Sequence, residues 1–171
     1  MNILRFGLLA VALALSGCAH DVEGRALDPR LEQQLAVVRL DPAAAVAALN
    51  SYRASKRLRP VTLDADLTAM AQHQTDEMAT HGELSHTVAG AFASRLAQAH
   101  ILADEAGENL GAGYYSLDEA MAGWKGSSEH NANMLQPGFR RIGVAIAKTS
   151  RSHWGVFWAM EFSSEPKTAL R

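Results

Sequence analysis

Apolar positions along the chain follow two periods. Leu31, Leu35 and Val38 fall three and four apart, which places them on one helical face, and Asp28-Pro29 supplies an N-cap followed by a first-turn proline. Asp41-Pro42 repeats the device and opens an alanine-rich helix to about Arg57, striped by Val46, Leu49 and Tyr52. Lys56 and Arg57 suit its C-terminal end, where the helix dipole favours cations. After a loop over residues 58–62, Asp64 caps a helix carrying Leu67, Met70, Ala71, Gln74 and Met78, and Gly82 ends it. A shorter helix follows Gly90 with Phe92, Leu96 and Ala99 inward. Ser116 and Glu119 then form an S-x-x-E capping box ahead of Leu117, Ala120, Met121 and Trp124.

Beyond the Pro137-Gly138 turn the period changes from helical to two. Ile142, Val144 and Ile146 alternate with Gly143, Ala145 and Ala147, and a second strand sets Trp154, Val156, Trp158, Met160 and Phe162 on one side. Ser150-Arg151-Ser152 between them predicts an antiparallel hairpin, and further strand material is expected around residues 108–112. Helices first and strands last indicate an α+β fold, with helices packed on both sides of a small antiparallel sheet.

Composition changes this picture at the N-terminus. Arg5 precedes an apolar run from Phe6 to Leu15, too short to span a bilayer, and Leu15-Ser16-Gly17-Cys18 is similar to a bacterial lipobox. Residues 1–17 are therefore expected to be a lipoprotein signal peptide and residues 18–27 a tether lipidated on Cys18. The folded domain is expected over residues 28–171. Cys18 is the sole cysteine, which rules out an internal disulfide. Several acyl chains anchor stably because each buried methylene contributes ~0.8 kcal/mol. Ala19, rather than Asp, after the cysteine favours outer-membrane sorting in a Gram-negative envelope by resemblance. Loss of Arg5 leaves 15 basic against 18 acidic residues, a balance without a nucleic-acid footprint.

A series of short motifs carries a family resemblance from Leu49 to Phe162, within a motif-bearing part of about 45–163. It comprises Leu49-Asn50-Ser51-Tyr52-Arg53, Pro60-Val61-Thr62-Leu63-Asp64, Leu84-Ser85-His86 and Gly107-Glu108-Asn109-Leu110. His130-Asn131-Ala132-Asn133-Met134-Leu135, Arg141-Ile142-Gly143-Val144-Ala145 and the aromatic strand from Trp154 to Phe162 complete it. Their order resembles the CAP (SCP-like) superfamily of cysteine-rich secretory, venom-allergen and pathogenesis-related proteins. The resemblance implies an α-β-α sandwich with a groove in which two histidines and two acidic residues bind a divalent metal, often zinc, in some members.

His86, Glu108 and His130 match three of those four positions, and imidazole and carboxylate are suitable zinc ligands. The fourth departs from the pattern: Ser127 stands where an acid is expected, and Glu129 beside His130 is the candidate replacement. His73, His81, His100 and His153 read as surface, capping or edge groups. Asn109 and Asn133 read as bonding loop backbone, and Trp154 and Trp158 as packing. Three functions follow from the resemblance. The first is a membrane-anchored, noncatalytic binding module for a lipid or an envelope-protein ligand. The second is a metal-assisted hydrolase using the same groove. The third is an envelope-organising protein without a small ligand. Ser85, Ser127 and Ser128 lack a marked Asp-His pairing, which counts against a serine nucleophile.

Overall fold

A computed structural model describes residues 29–165. The expected signal peptide, the lipidation at Cys18, the tether and the Asp28 cap lie outside the described residues. Within them the helices are α1 (Pro29–Val37), α2 (Pro42–Ser55), α3 (Ala65–His81), α4 (Phe92–Gln98), α5 (Leu117–Gly126) and α6 (Ser128–Met134). The strands are β1 (Thr62–Leu63), β2 (Ala106–Ala112), β3 (Arg141–Lys148) and β4 (Val156–Ser163), in sheet order β1-β3-β4-β2. This is an α-β-α sandwich.

Local signals account for the helix boundaries. The Asp41 side chain accepts from Ala43 N–H, Asp64 from Leu67 N–H and Ser116 from Glu119 N–H, so each satisfies an otherwise orphaned helix donor. Gly82 takes the left-handed conformation that ends α3. The Glu119 carboxylate reaches back to Tyr115 N–H, one residue before the cap, which widens the expected capping box.

The sheet differs from the expectation in one respect: it is mixed. β2 and β3 flank β4 antiparallel, but Thr62–Leu63 pairs parallel to β3 within the segment expected to be loop. A second difference is α6, a helix for which the sequence pattern assigns no element. Ser127 ends one helix in extended backbone and caps the next. Trp154 also departs from the expected strand face. It precedes β4, tilts over His153 and joins the α3 side, and the β3–β4 connection runs over residues 149–155.

The two faces of the sheet bury different partners. On one, Ile142, Val144, Trp158, Met160 and Phe162 pack with Leu49 of α2, Trp124 of α5 and Met134 of α6. Trp124 meets Trp158 edge to face at 6.5 Å. On the other, Leu110, Ala145, Phe157 and Ala159 meet Ala71 and Met78 of α3. Fully burying each large apolar side chain contributes about 1.5–3 kcal/mol, so both layers are needed. Arg53 ties the first layer together. Wholly buried, it donates to the carbonyls of Arg59, Met134, Gln136 and Phe139, so α2 is locked to the segment linking α6 to β3.

Gly143 fixes how closely the second layer approaches. A Cβ there would overlap the backbone of Leu67 and Thr68, so α3 lies directly on the strand at this point. Gly143→Ala is expected to destabilise the fold by about 3 kcal/mol, the scale of severe core overpacking, as measured by urea denaturation. A change under about 0.5 kcal/mol would contradict this contact.

Candidate functional site

The site is assembled around the outer strand β2. Glu108 of β2, Glu161 of β4 and Gly143 of β3 are direct partners across the sheet, so they form one row on the face covered by α3. Because Gly143 admits no side chain, that row holds two carboxyls and a backbone contact. Both carboxyls are buried: Glu161 completely, and Glu108 to 8% exposure.

Arg95 of α4 answers them. Its Nη2 lies 2.6 Å from Glu108 Oε2, and its Nη1 lies 3.1 Å from Glu161 Oε1. The same guanidinium donates to the Gly90 and His86 carbonyls, which holds the 86–90 loop against the row. A buried cation bonded to two carboxyls and two carbonyls meets the condition for burying charge, full pairing with satisfied donors.

Two carboxylates around one guanidinium would leave an excess negative charge in a dry site. Burial raises the Glu161 carboxyl well above its ordinary value of 4.5, and the Glu108 carboxylate raises it further. Arg95 pulls in the opposite direction. Glu161 Oε2 has no hydrogen-bond partner. A raised Glu161 pKa beside an Arg95–Glu108 ion pair reduces the excess negative charge of the row.

His86 completes the chain of contacts on the outside. Its Nδ1 lies 2.7 Å from Glu108 Oε1, and its side chain is 60% exposed. A carboxylate only accepts, so in the neutral ring Nδ1 carries the hydrogen and Nε2 is the free acceptor.

His130 lies on α6, which is held to the β2 edge from the other face of the sheet. α6 is pinned to the β2 edge by Asn133, which donates to the Glu108 carbonyl and to Asn109, while Asn109 donates to the His130 carbonyl. These asparagines do bond backbone, as expected, although that backbone belongs to a strand edge and a helix. Burial lowers the His130 pKa, and His86 is near enough to lower it further. Glu129 pulls it back upward.

The structure thus brings His86 onto Glu108 and places His130 on the helix held to the same strand edge. It leaves Glu129 exposed in the first turn of α6, where His130 senses it only as a charge. Ser127 Oγ is occupied in capping α6 at His130 N–H. Among the described residues, no group of three or more His, Cys, Asp or Glu is arranged to hold a metal ion. Both Glu108 oxygens are engaged, one by His86 and one by Arg95, so the residues in this arrangement do not fit the four-ligand metal site. His73 and His81 lie on α3, with His81 Nε2 3.5 Å from Glu77 Oε2 one turn back, and His100 follows α4 in left-handed backbone. Two recesses lie apart from the three site residues. One of about 260 Å³ is bounded by Asp66, Met70, His73, Arg95, Gln98 and Ala99, and one of about 600 Å³ lies near Arg59 and Arg140.

The sequence profile of the cysteine-rich secretory protein family (CAP) matches residues 46–162. The chain belongs to the CAP family. It is 26% identical over 119 residues to the uncharacterized protein YkwD of Bacillus subtilis, covering 68% of this chain and 44% of that protein. An extracellular SCP-domain protein from Bacillus anthracis superposes with a TM-score of 0.64 at 22% identity, over 72% of this chain and 40% of that one. An outer surface protein from Borrelia burgdorferi gives a TM-score of 0.65 at 16% identity, over 71% of this chain and 90% of that one. The chain thus spans less than half the length of the two Bacillus relatives, and the structural likenesses establish the CAP fold alone.

Arg95 and Glu161 are the site residues that sequence reasoning missed. A signal for Glu161 existed: it lies in a strand buried along its whole length, where an acid requires a partner.

Glu161 generates a pH prediction for this CAP domain. Its raised pKa means that the folded state binds more protons than the unfolded state above the ordinary value, so its contribution declines as pH rises from 4.5 through the folded pKa. Glu161→Gln, which mimics the neutral acid, is expected to flatten this part of the stability profile. Urea midpoints between pH 4.5 and 9 test it, and parallel profiles for parent and variant would refute the assignment.

Proposed function

We propose that this chain is an exported CAP domain, lipid-anchored through Cys18 in the outer membrane, that binds a lipid or envelope-protein ligand at the His86–His130 edge. The observation that carries this reading is His86 itself: an exposed imidazole held by a buried Glu108–Arg95 pair. Buried supports beneath an exposed polar group pre-organise it for recognition and cut the ordering cost of binding.

Export is supported by the lipobox-like start and by the likeness to one protein described as extracellular and another described as an outer surface protein. No helix among the described residues is long and apolar enough to cross a membrane, which leaves attachment to the N-terminus in this reading. Binding is favoured over hydrolysis by a serine nucleophile because two of the hydroxyls near the histidines have structural partners. Ser127 caps α6, and Ser85 bonds Thr87.

Two measurements test it. Palmitate labelling in a Gram-negative host is expected to mark the parent and not Cys18→Ala. A fluorescent fatty acid is expected to bind the parent and to bind His86→Ala and His130→Ala at least fivefold more weakly, with circular dichroism unchanged. Failure of the folded parent to bind moves the ligand to the envelope-protein class, tested by crosslinking with the same variants. Ester or peptide turnover abolished by His86→Ala would replace the binding reading with the hydrolytic one.

A further inference from the structure

Arg95 is the most deeply committed cation of the site. Its side chain is 1% exposed and lies within 3.1 Å of both buried carboxyls, its other hydrogen bonds go to carbonyls of the adjoining loop, and it lies over the Phe92 ring. Two acids face it, Glu108 from β2 and Glu161 from β4, neighbours across the sheet that share the guanidinium. Carboxylates are donors a divalent cation would use. His86, on the loop after α3, borders the row from outside, with Nδ1 on the Glu108 oxygen that Arg95 does not hold.

We propose that Arg95 is a built-in cation that excludes divalent metal from the Glu108–Glu161 row, and that removing it admits zinc to those carboxyls. The reason is competition for the same lone pairs. A guanidinium at 2.6 Å already consumes Glu108 Oε2, and zinc could enter only by breaking an ion pair that is shielded from water. Once the guanidinium is gone, the row keeps its carboxyl oxygens and gains the volume of a long side chain. The carboxyls are then uncompensated, and a dication supplies the lost charge. The inference stands on this geometry and is independent of the ligand-binding reading.

The test is zinc titration by calorimetry at pH 7.4 on the purified full chain, with melting temperatures recorded with and without 100 µM zinc. Arg95→Ala is expected to bind one zinc at least tenfold more tightly than the parent and to melt higher with zinc, whereas the parent's melting is unmoved. Adding Glu161→Gln to Arg95→Ala is expected to abolish the gain, which locates the ion in the row and not at His130. Arg95→Gln, which keeps a donor to one carboxyl, is the second variant should Arg95→Ala fold only with zinc. Such zinc-dependent folding would itself support the proposal. Parent affinity equal to that of the variants overturns it. So does a folded Arg95→Gln with no gain, or failure of zinc to restore either variant.

Discussion

Burial of two carboxyls side by side in a sheet is the constraint that organises this molecule. Glu108 and Glu161 are brought together by backbone register, and neither can move without slipping a strand that is packed on both faces. A single charge in so dry a place costs several kcal/mol unless it is paired, so a cation must be delivered there. α4 is the element that delivers it. At seven residues it has little helical stability of its own, and it is held by Arg95 in the row and by Phe92 and Leu96 against Leu67, Met70 and Ile101. The loop ahead of α4 is fixed by the same guanidinium, and His86 is carried on that loop. The exposed imidazole thus depends on a charge pair buried beneath it.

A second cation performs a comparable task without any acid. Arg53 lies fully buried among four carbonyls, two of them at or just beyond the end of α6, where helix carbonyls lack internal donors. Burial lowers its pKa, and its hydrogen bonds offset part of the desolvation. The consequence reaches the site, because α6 carries His130 and Asn133. Arg95 therefore positions the histidine on the α3 side of the sheet, and Arg53 helps position the one on the α2 side.

Legibility in the sequence followed the range of the interactions. Caps are local, so Asp41, Asp64, Ser116 and Gly82 marked helix ends correctly. α6 was obscured because Ser127 alone separates it from α5, and a single cap inside a polar run does not announce a new axis. The Thr62–Leu63 pairing is two residues long and depends on where β3 passes, far along the chain at Arg141 and Ile142, which no local pattern encodes. The histidines and Glu108 were found through an ordered set of family-like motifs. Arg95 carried no signal in the sequence, because its partners are set by a register the sequence does not display.

The same register limits how the site can recognise anything. β2 is an edge strand, and an open edge invites another chain to add a strand by backbone pairing. Here its outward carbonyls at Glu108 and Leu110 are already taken, the first by Asn133 Nδ2 at 3.1 Å and the second by Trp124 Nε1 at 2.9 Å. Successive outward positions of the strand are thus capped by side chains of α6 and α5, and Trp124 is itself buried in the core. A peptide could pair with this edge only by pulling both helices away from the sheet. In the proposed binding reading, recognition at this end of the domain runs through side chains and not backbone pairing, and His86 and His130 sit on the two elements held to this strand from its opposite faces.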